Sequence, residues 1–93
     1  MATEVRKNEA KSRYEALLDD GVVAGFAEYV EEDHRVTFTH TEVGEEYAGQ
    51  GIAAQLARTA LDATRAAGKS VVPRCPYFRG YIDKHDEYSD LVA

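Results

Sequence analysis

No apolar run in this sequence approaches the roughly 20 residues that a membrane-crossing helix needs, and its opening stretch, MATEVRKNEAK, lacks the apolar core of a secretory signal. The expectation is a cytoplasmic protein with no part in a membrane. There is a single cysteine, Cys75, which excludes an internal disulfide and a cysteine-rich zinc site and fits a reducing compartment. Basic residues are in deficit, with 11 Lys and Arg against 17 Asp and Glu and a formal net charge of -6. That balance argues against a general attraction to nucleic acid or to anionic membrane, so an anionic ligand has to be held by local geometry. The histidines show no metal-ligand spacing, and no metal site is expected. Repeats and low-complexity segments are missing too.

What is present is an ordinary globular composition, 44% hydrophobic and 30% charged over 93 residues. Such a length supports one domain, residues 1–93, around one small core. Residues 12–18 and 22–31 flank Asp19-Asp20-Gly21, a hairpin signal. Residues 35–43, RVTFTHTEV, are rich in β-branched and aromatic side chains. Strict alternation puts Val36, Phe38 and His40 on one face and Thr37, Thr39, Thr41 and Val43 on the other. Three consecutive antiparallel strands follow, with residues 1–11 either a short edge strand or a flexible arm.

From Gln50 to Ala67 the period changes. Ile52, Ala53, Leu56, Ala57, Ala60, Thr64 and Ala67 share one helical arc and Gln55, Arg58, Asp62 and Arg65 lie opposite, the pattern of an amphipathic helix that Gly68 ends. Residues 69–73 then read as a short strand, which a right-handed helical crossover places parallel to 35–43. Pro76 opens a short helix that runs to about His85. The fold class expected is α+β: an antiparallel sheet with a parallel final strand, one long helix and a short C-terminal helix.

The junction AGQGIA, residues 48–53, enters the long helix with no Ser, Thr or Asp to cap it. A glycine-rich turn there lets backbone N–H groups converge on an anion, helped by the helix dipole. By itself the pattern fits a plain turn as well, and Glu45 and Glu46 nearby oppose a polyphosphate.

Three features together carry a family resemblance: the HTEV strand end, the GQGIA loop entering an amphipathic helix, and VVPRCPYF followed by YIDKHDEY. From about Arg13 onward the chain resembles the GNAT superfamily of acyl-coenzyme A-dependent N-acetyltransferases, in particular its short YjdJ-type members. The resemblance implies a compact GNAT-like fold and acetyl-coenzyme A as co-substrate. It further implies that the N–H groups of Gly49, Gln50, Gly51, Ile52 and Ala53 cradle the coenzyme A pyrophosphate. Ala48 stands where the family usually has a long polar side chain. Thr41, Glu42 and Val43 would face the pantetheine arm, lying as an added strand in the gap between two splaying strands. Pro73 fits such a splay, and equally a plain strand end.

Two routes of transfer follow. If Pro76 is the first helical residue, Cys75 sits at the N-cap, where the helix dipole and Arg74 and Arg79 favour a thiolate able to carry the acyl group. The alternative for Cys75 is a small buried hydrophobe. Direct attack by an amine needs instead a base, for which His40, Glu42 and His85 are the candidates. His40 reads equally as a packed strand residue, and His85 as a charge partner at a helix C-terminus. Tyr77, Phe78 and Tyr81 are expected to pack the last helix, with Tyr77 or Tyr81 also a candidate to border the pantetheine.

The acceptor implied is an unidentified amine, on a small molecule or a protein. Longer members of the superfamily place helices after the first strand that wall the acceptor side, and a tight turn replaces them here. That keeps open a coenzyme A-binding module or sensor without turnover. A monomer or weak homodimer is expected.

Overall fold

The computed structural model describes residues 4–93. The chain runs through β1 (Glu4–Asn8), β2 (Arg13–Leu17), β3 (Val23–Glu31), β4 (Arg35–Val43), α1 (Ile52–Ala66), β5 (Ser70–Pro73) and α2 (Pro76–Lys84). The strands form one sheet in the order β1-β2-β3-β4-β5. All neighbours are antiparallel except β4 and β5, which are parallel, as a crossover through α1 requires. The expected α+β fold is therefore the one observed, and residues 4–8 of the N-terminal stretch are an edge strand.

The β2–β3 turn forms as Asp-Asp-Gly predicts. Gly21 takes φ +85 and donates its N–H to Leu18 O at 2.8 Å, while the Asp20 carboxylate accepts from Val22 N at 3.1 Å. Cross-strand pairs assign the two faces of the sheet. Tyr14, Ala16, Ala27, Tyr29, Val36, Phe38 and Val71 share one core with Leu56, Ala57, Ala60, Leu61, Phe78 and Ile82 of the helices. Both helices thus cover the same face. The Phe38 and Phe78 rings stack at 4.3 Å, which fixes α2 over β4. On α1 the buried arc includes Leu61 in place of the expected Ala67, which is exposed one residue beyond the helix.

One expectation for β4 is overturned. Glu28 pairs with His40 but Tyr29 pairs with Phe38, so Thr39 is an extra residue with no register partner on β3. This bulge shifts the alternation by one. Beyond it Thr41 and Val43 lie on the helix side with Phe38, while His40 and Glu42 turn to the opposite, uncovered face.

Candidate active site

The β4–β5 ladder ends at Phe38 opposite Pro73. A final bond, Cys75 N–H to Phe38 O at 2.8 Å, closes it. Pro73 contributes no ladder donor and the chain turns into α2, so residues 39–43 of β4 run on without β5 beside them. The result is a splay at the middle of the molecule. At its mouth the Thr41 hydroxyl and the Cys75 thiol lie 3.3 Å apart, from residues far separated in sequence.

The glycine loop lies between β4 and α1. Gly49 and Gly51 take φ +81 and +77, the left-handed region that strongly favours glycine. A Cβ built on either would meet nothing within 4 Å, so the space in front of the backbone is open. Gly51 is the N-cap of α1 and no side chain caps the helix. Its first N–H groups are available to an anion in the way the bare loop predicts.

Between α1 and α2 lies a groove of about 360 Å³, lined by Ala54, Arg58, Tyr77, Tyr81 and Lys84 among others. Its charge stands out from the rest of the molecule. Arg6, Lys7, Arg13, Arg35, Arg65 and Lys69 each meet a carboxylate. Among the described residues Lys11, Arg58, Arg74, Arg79 and Lys84 have no such ion pair, and Arg58 and Lys84 both line this groove. Burial raises the Tyr77 and Tyr81 hydroxyls above the ordinary tyrosine value, so both stay neutral donors at physiological pH.

Opposite the helices, His40 Nε2 and Glu42 Oε2 are 3.1 Å apart and both side chains are largely open to solvent, 51% and 64%. The His40 ring also lies 6.2 Å from that of Phe26.

The sequence of residues 13–91 matches the GCN5-related N-acetyltransferase family. The chain belongs to that family. Solved structures of known members repeat its fold. A GCN5-like protein from Staphylococcus aureus superposes with a TM-score of 0.74 at 19% identity, covering 97% of this chain and 87% of that one. A ribosomal-protein-alanine N-acetyltransferase from Brucella melitensis gives 0.61 at 23% identity, over 87% of this chain and 59% of that one. A GNAT family N-acetyltransferase from Escherichia coli, solved in complex with CoA, gives 0.59 at 31% identity over 66% of this chain. This chain spans only 38% of that protein's length. Among curated proteins none matches the sequence.

Within this GNAT fold, Thr41 and Cys75 meet at the splay, and the 49–53 loop leads into α1. Tyr77, 39% exposed, stands at the groove. His40 and Glu42 pair with each other on the other side of the sheet, not beside Phe38 as strict alternation had it. Cys75 is 3% exposed and caps α2 without a side-chain bond to the helix. Arg79 turns its guanidinium to the carbonyls of Pro73 and Arg74, at 3.3 and 3.0 Å, and not to the thiol. His85 lines the groove between the helices, with Nδ1 2.8 Å from Tyr81 O and its ring stacked on that of Tyr81 at 3.9 Å. Arg58 and Lys84 went unnoticed in the sequence, where Arg58 reads only as part of the solvent face of α1. Its place two turns beyond an uncapped glycine loop was the available signal. Among the described residues no group of three or more His, Cys, Asp or Glu is arranged to hold a metal ion, and no helix is long and apolar enough to cross a membrane.

Proposed function

We propose that this domain, residues 1–93, binds acetyl-coenzyme A along α1 and in the β4–β5 splay and passes the acetyl group to an amine. One observation carries the reading: an uncapped, glycine-led α1 opens beside a splay that leaves residues 39–43 of β4 without β5. The loop N–H groups of Gly49, Gln50, Gly51, Ile52 and Ala53 would hold the pyrophosphate. Arg58 and Lys84, which make no ion pair among the described residues, would neutralise further phosphate charge. Tyr77 would flank the pantetheine, and Thr41, Glu42 and Val43 would offer their backbone to it as a neighbouring strand does. When bound, the cofactor supplies an activated acyl thioester.

The rest is the work of the chain's own side chains. The Glu42 carboxylate and His40, paired on the uncovered face, are positioned to take a proton from an amine that reaches the splay from that side. Direct attack is the better supported route. Cys75 is buried, its thiol lies 3.3 Å from the Thr41 hydroxyl, and Arg79 is committed to carbonyls, so its role here is to line the splay.

Mass spectrometry of the protein mixed with acetyl-coenzyme A, under native and denaturing conditions, tests this. The expected result is an intact cofactor complex that is lost on denaturation and is retained in Cys75→Ala. An acetyl group that survives denaturation and maps to Cys75 would establish the covalent route instead. Absence of any complex would end the coenzyme A reading.

A further inference from the structure

The uncovered face of the sheet carries a buried charge. Glu15 alternates with Tyr14 and Ala16 of the core and so points away from both helices, yet it is only 9% exposed. A carboxylate is costly to bury unless it is bonded. Here Glu15 Oε2 accepts from Arg13 Nε at 2.7 Å and from Asn8 Nδ2 at 3.2 Å. The bond to Arg13 fixes the guanidinium, which lies 4.4 Å over the Phe26 ring. Phe26 in turn meets the ring of His40, 6.2 Å away and tilted by 57°. A line of contacts thus runs from buried Glu15 on β2, across β3, to the His40–Glu42 pair on β4.

Register shows what that line selects. Arg13, Glu28 and His40 stand opposite one another in one row across β2, β3 and β4, and Glu15, Phe26 and Glu42 in the next. His40 therefore has two carboxylates as neighbours, Glu28 directly across and Glu42 two residues along its own strand. Its imidazole is with Glu42, Nε2 to Oε2 at 3.1 Å, although its cross-strand place gives Glu28 an equal claim. Phe26 breaks the tie. It lies diagonally from His40 on the Glu42 side, within the range at which aromatic rings attract. The contact draws the imidazole along the strand towards Glu42 and away from Glu28.

We propose that Phe26 is a positioning residue: held by Arg13 and Glu15, it turns His40 to Glu42 and so assembles the pair that takes the acceptor's proton. The proposal rests on the acetyl-transfer reading above for its effect on rate, and on geometry alone for its effect on His40. Replacing the ring by a smaller apolar side chain frees the imidazole to divide between two carboxylates. Removing Glu28 as well leaves Glu42 without a rival.

The test uses the whole chain, with acetyl-coenzyme A and n-butylamine for kinetics and with neither for NMR of the His40 ring. Phe26→Leu is expected to lower kcat about fivefold, the worth of one aromatic contact, with the KM for acetyl-coenzyme A unchanged. Phe26→Tyr, which keeps the ring, should retain the parent kcat. Phe26→Leu/Glu28→Ala should recover it, whereas Glu28→Ala alone changes it little. In the spectra, the His40 ring protons should show nuclear Overhauser contacts to the Glu42 side chain in the parent protein and to both Glu42 and Glu28 in Phe26→Leu. Three results would each overturn the proposal: a parent-like kcat in folded Phe26→Leu, a loss that Glu28→Ala does not recover, and His40 contacts confined to Glu42 without the Phe26 ring. If butylamine is not acetylated, the spectra alone decide. Contacts newly shared with Glu28 in Phe26→Leu would then uphold the positioning independently of the transfer reading, and unchanged contacts would end it.

Discussion

Gly51 is where the backbone, more than any side chain, sets what the site can hold. Its φ of +77 strains any other residue, yet a Cβ there meets nothing within 4 Å, so substitution separates conformational cost from ligand crowding. Gly51→Ala should lower stability by about 1 kcal/mol and leave coenzyme A binding largely intact. Gly51→Glu should fold similarly but lose affinity by about tenfold or more, because a carboxylate then stands at the positive end of α1. Thermal unfolding and calorimetry on the pair would check this, and full affinity in folded Gly51→Glu would remove the loop from the site. Individual residues also show the limits of reading a sequence. Cys75 at a predicted N-cap suggests a reactive thiol, and the N-cap position is correct. The alternative reading, a small buried hydrophobe, matches its 3% exposure, while the Thr41 contact and the turning away of Arg79 were set by the packing of α2 on β4.

At the scale of the elements, the bulge in β4 does most to shape the site. One unpaired residue, Thr39, moves His40 and Glu42 from the core side of the strand to the open side. Their pairing at 3.1 Å follows from their spacing, because residues two apart on a strand share a face, and the bulge decides which face that is. The neighbouring strand holds this geometry through a close approach: a Cβ on Gly25 would lie 2.7 Å from the carbonyl oxygen of Glu42. That oxygen is backbone and yields only if β3 and β4 part. Gly25→Ala is therefore expected to cost about 1–3 kcal/mol. It should also reduce kcat, since it displaces Glu42 while leaving the Glu42 charge in place. Thermal unfolding with steady-state kinetics would show this, and unchanged kcat in a destabilised protein would mean that the position of Glu42 does not matter to the chemistry.

Over the whole molecule, stability should fall at both ends of the pH scale for identifiable reasons. Tyr88 is buried and donates to Asp62 at 2.8 Å, and burial followed by that bond pushes its hydroxyl from 10.0 up to about 12. The folded state then holds the proton more tightly than the unfolded one. Its contribution is complete below pH 10 and is lost as the pH rises towards about 12. Glu31 has the opposite sign. Hydrogen bonds first from Lys69 and then from Lys7 lower its carboxyl below 4.5, so its contribution is present above that value and fades as the pH falls below it. Because Lys7 is on β1 and Lys69 precedes β5, this carboxylate ties both outer strands to β3. Unfolding midpoints across pH should drop on both sides. Tyr88→Phe should make the alkaline limb shallower at a cost of about 1 kcal/mol near neutrality, and Glu31→Gln should flatten the acid limb. Limbs that coincide with those of the parent protein would rule these groups out.

Much of this protein was determined locally and is legible in the sequence: the hairpin at Asp19-Asp20-Gly21, the amphipathic α1 with its uncapped glycine entrance, the stop at Gly68, and the parallel β5 that a helical crossover demands. Each records burial or backbone conformation within a few residues, and the GNAT family membership rests on the same local features. Only the tertiary structure decided how the two sides of the splay are furnished. A bulge exists only in the register between two strands, so Thr39 looks like any other residue of an alternating strand until Glu28 and Tyr29 are set against it. Likewise Arg58 and Lys84 become distinctive only when six of the other cations find carboxylates, as Arg65 does with Asp90 and Lys69 with Glu31, and these two are left together along one groove. Periodicity reports which way a side chain points within its own element. Which charges are left unpaired, and on which side of the sheet, depends on partners that the chain brings together only by folding.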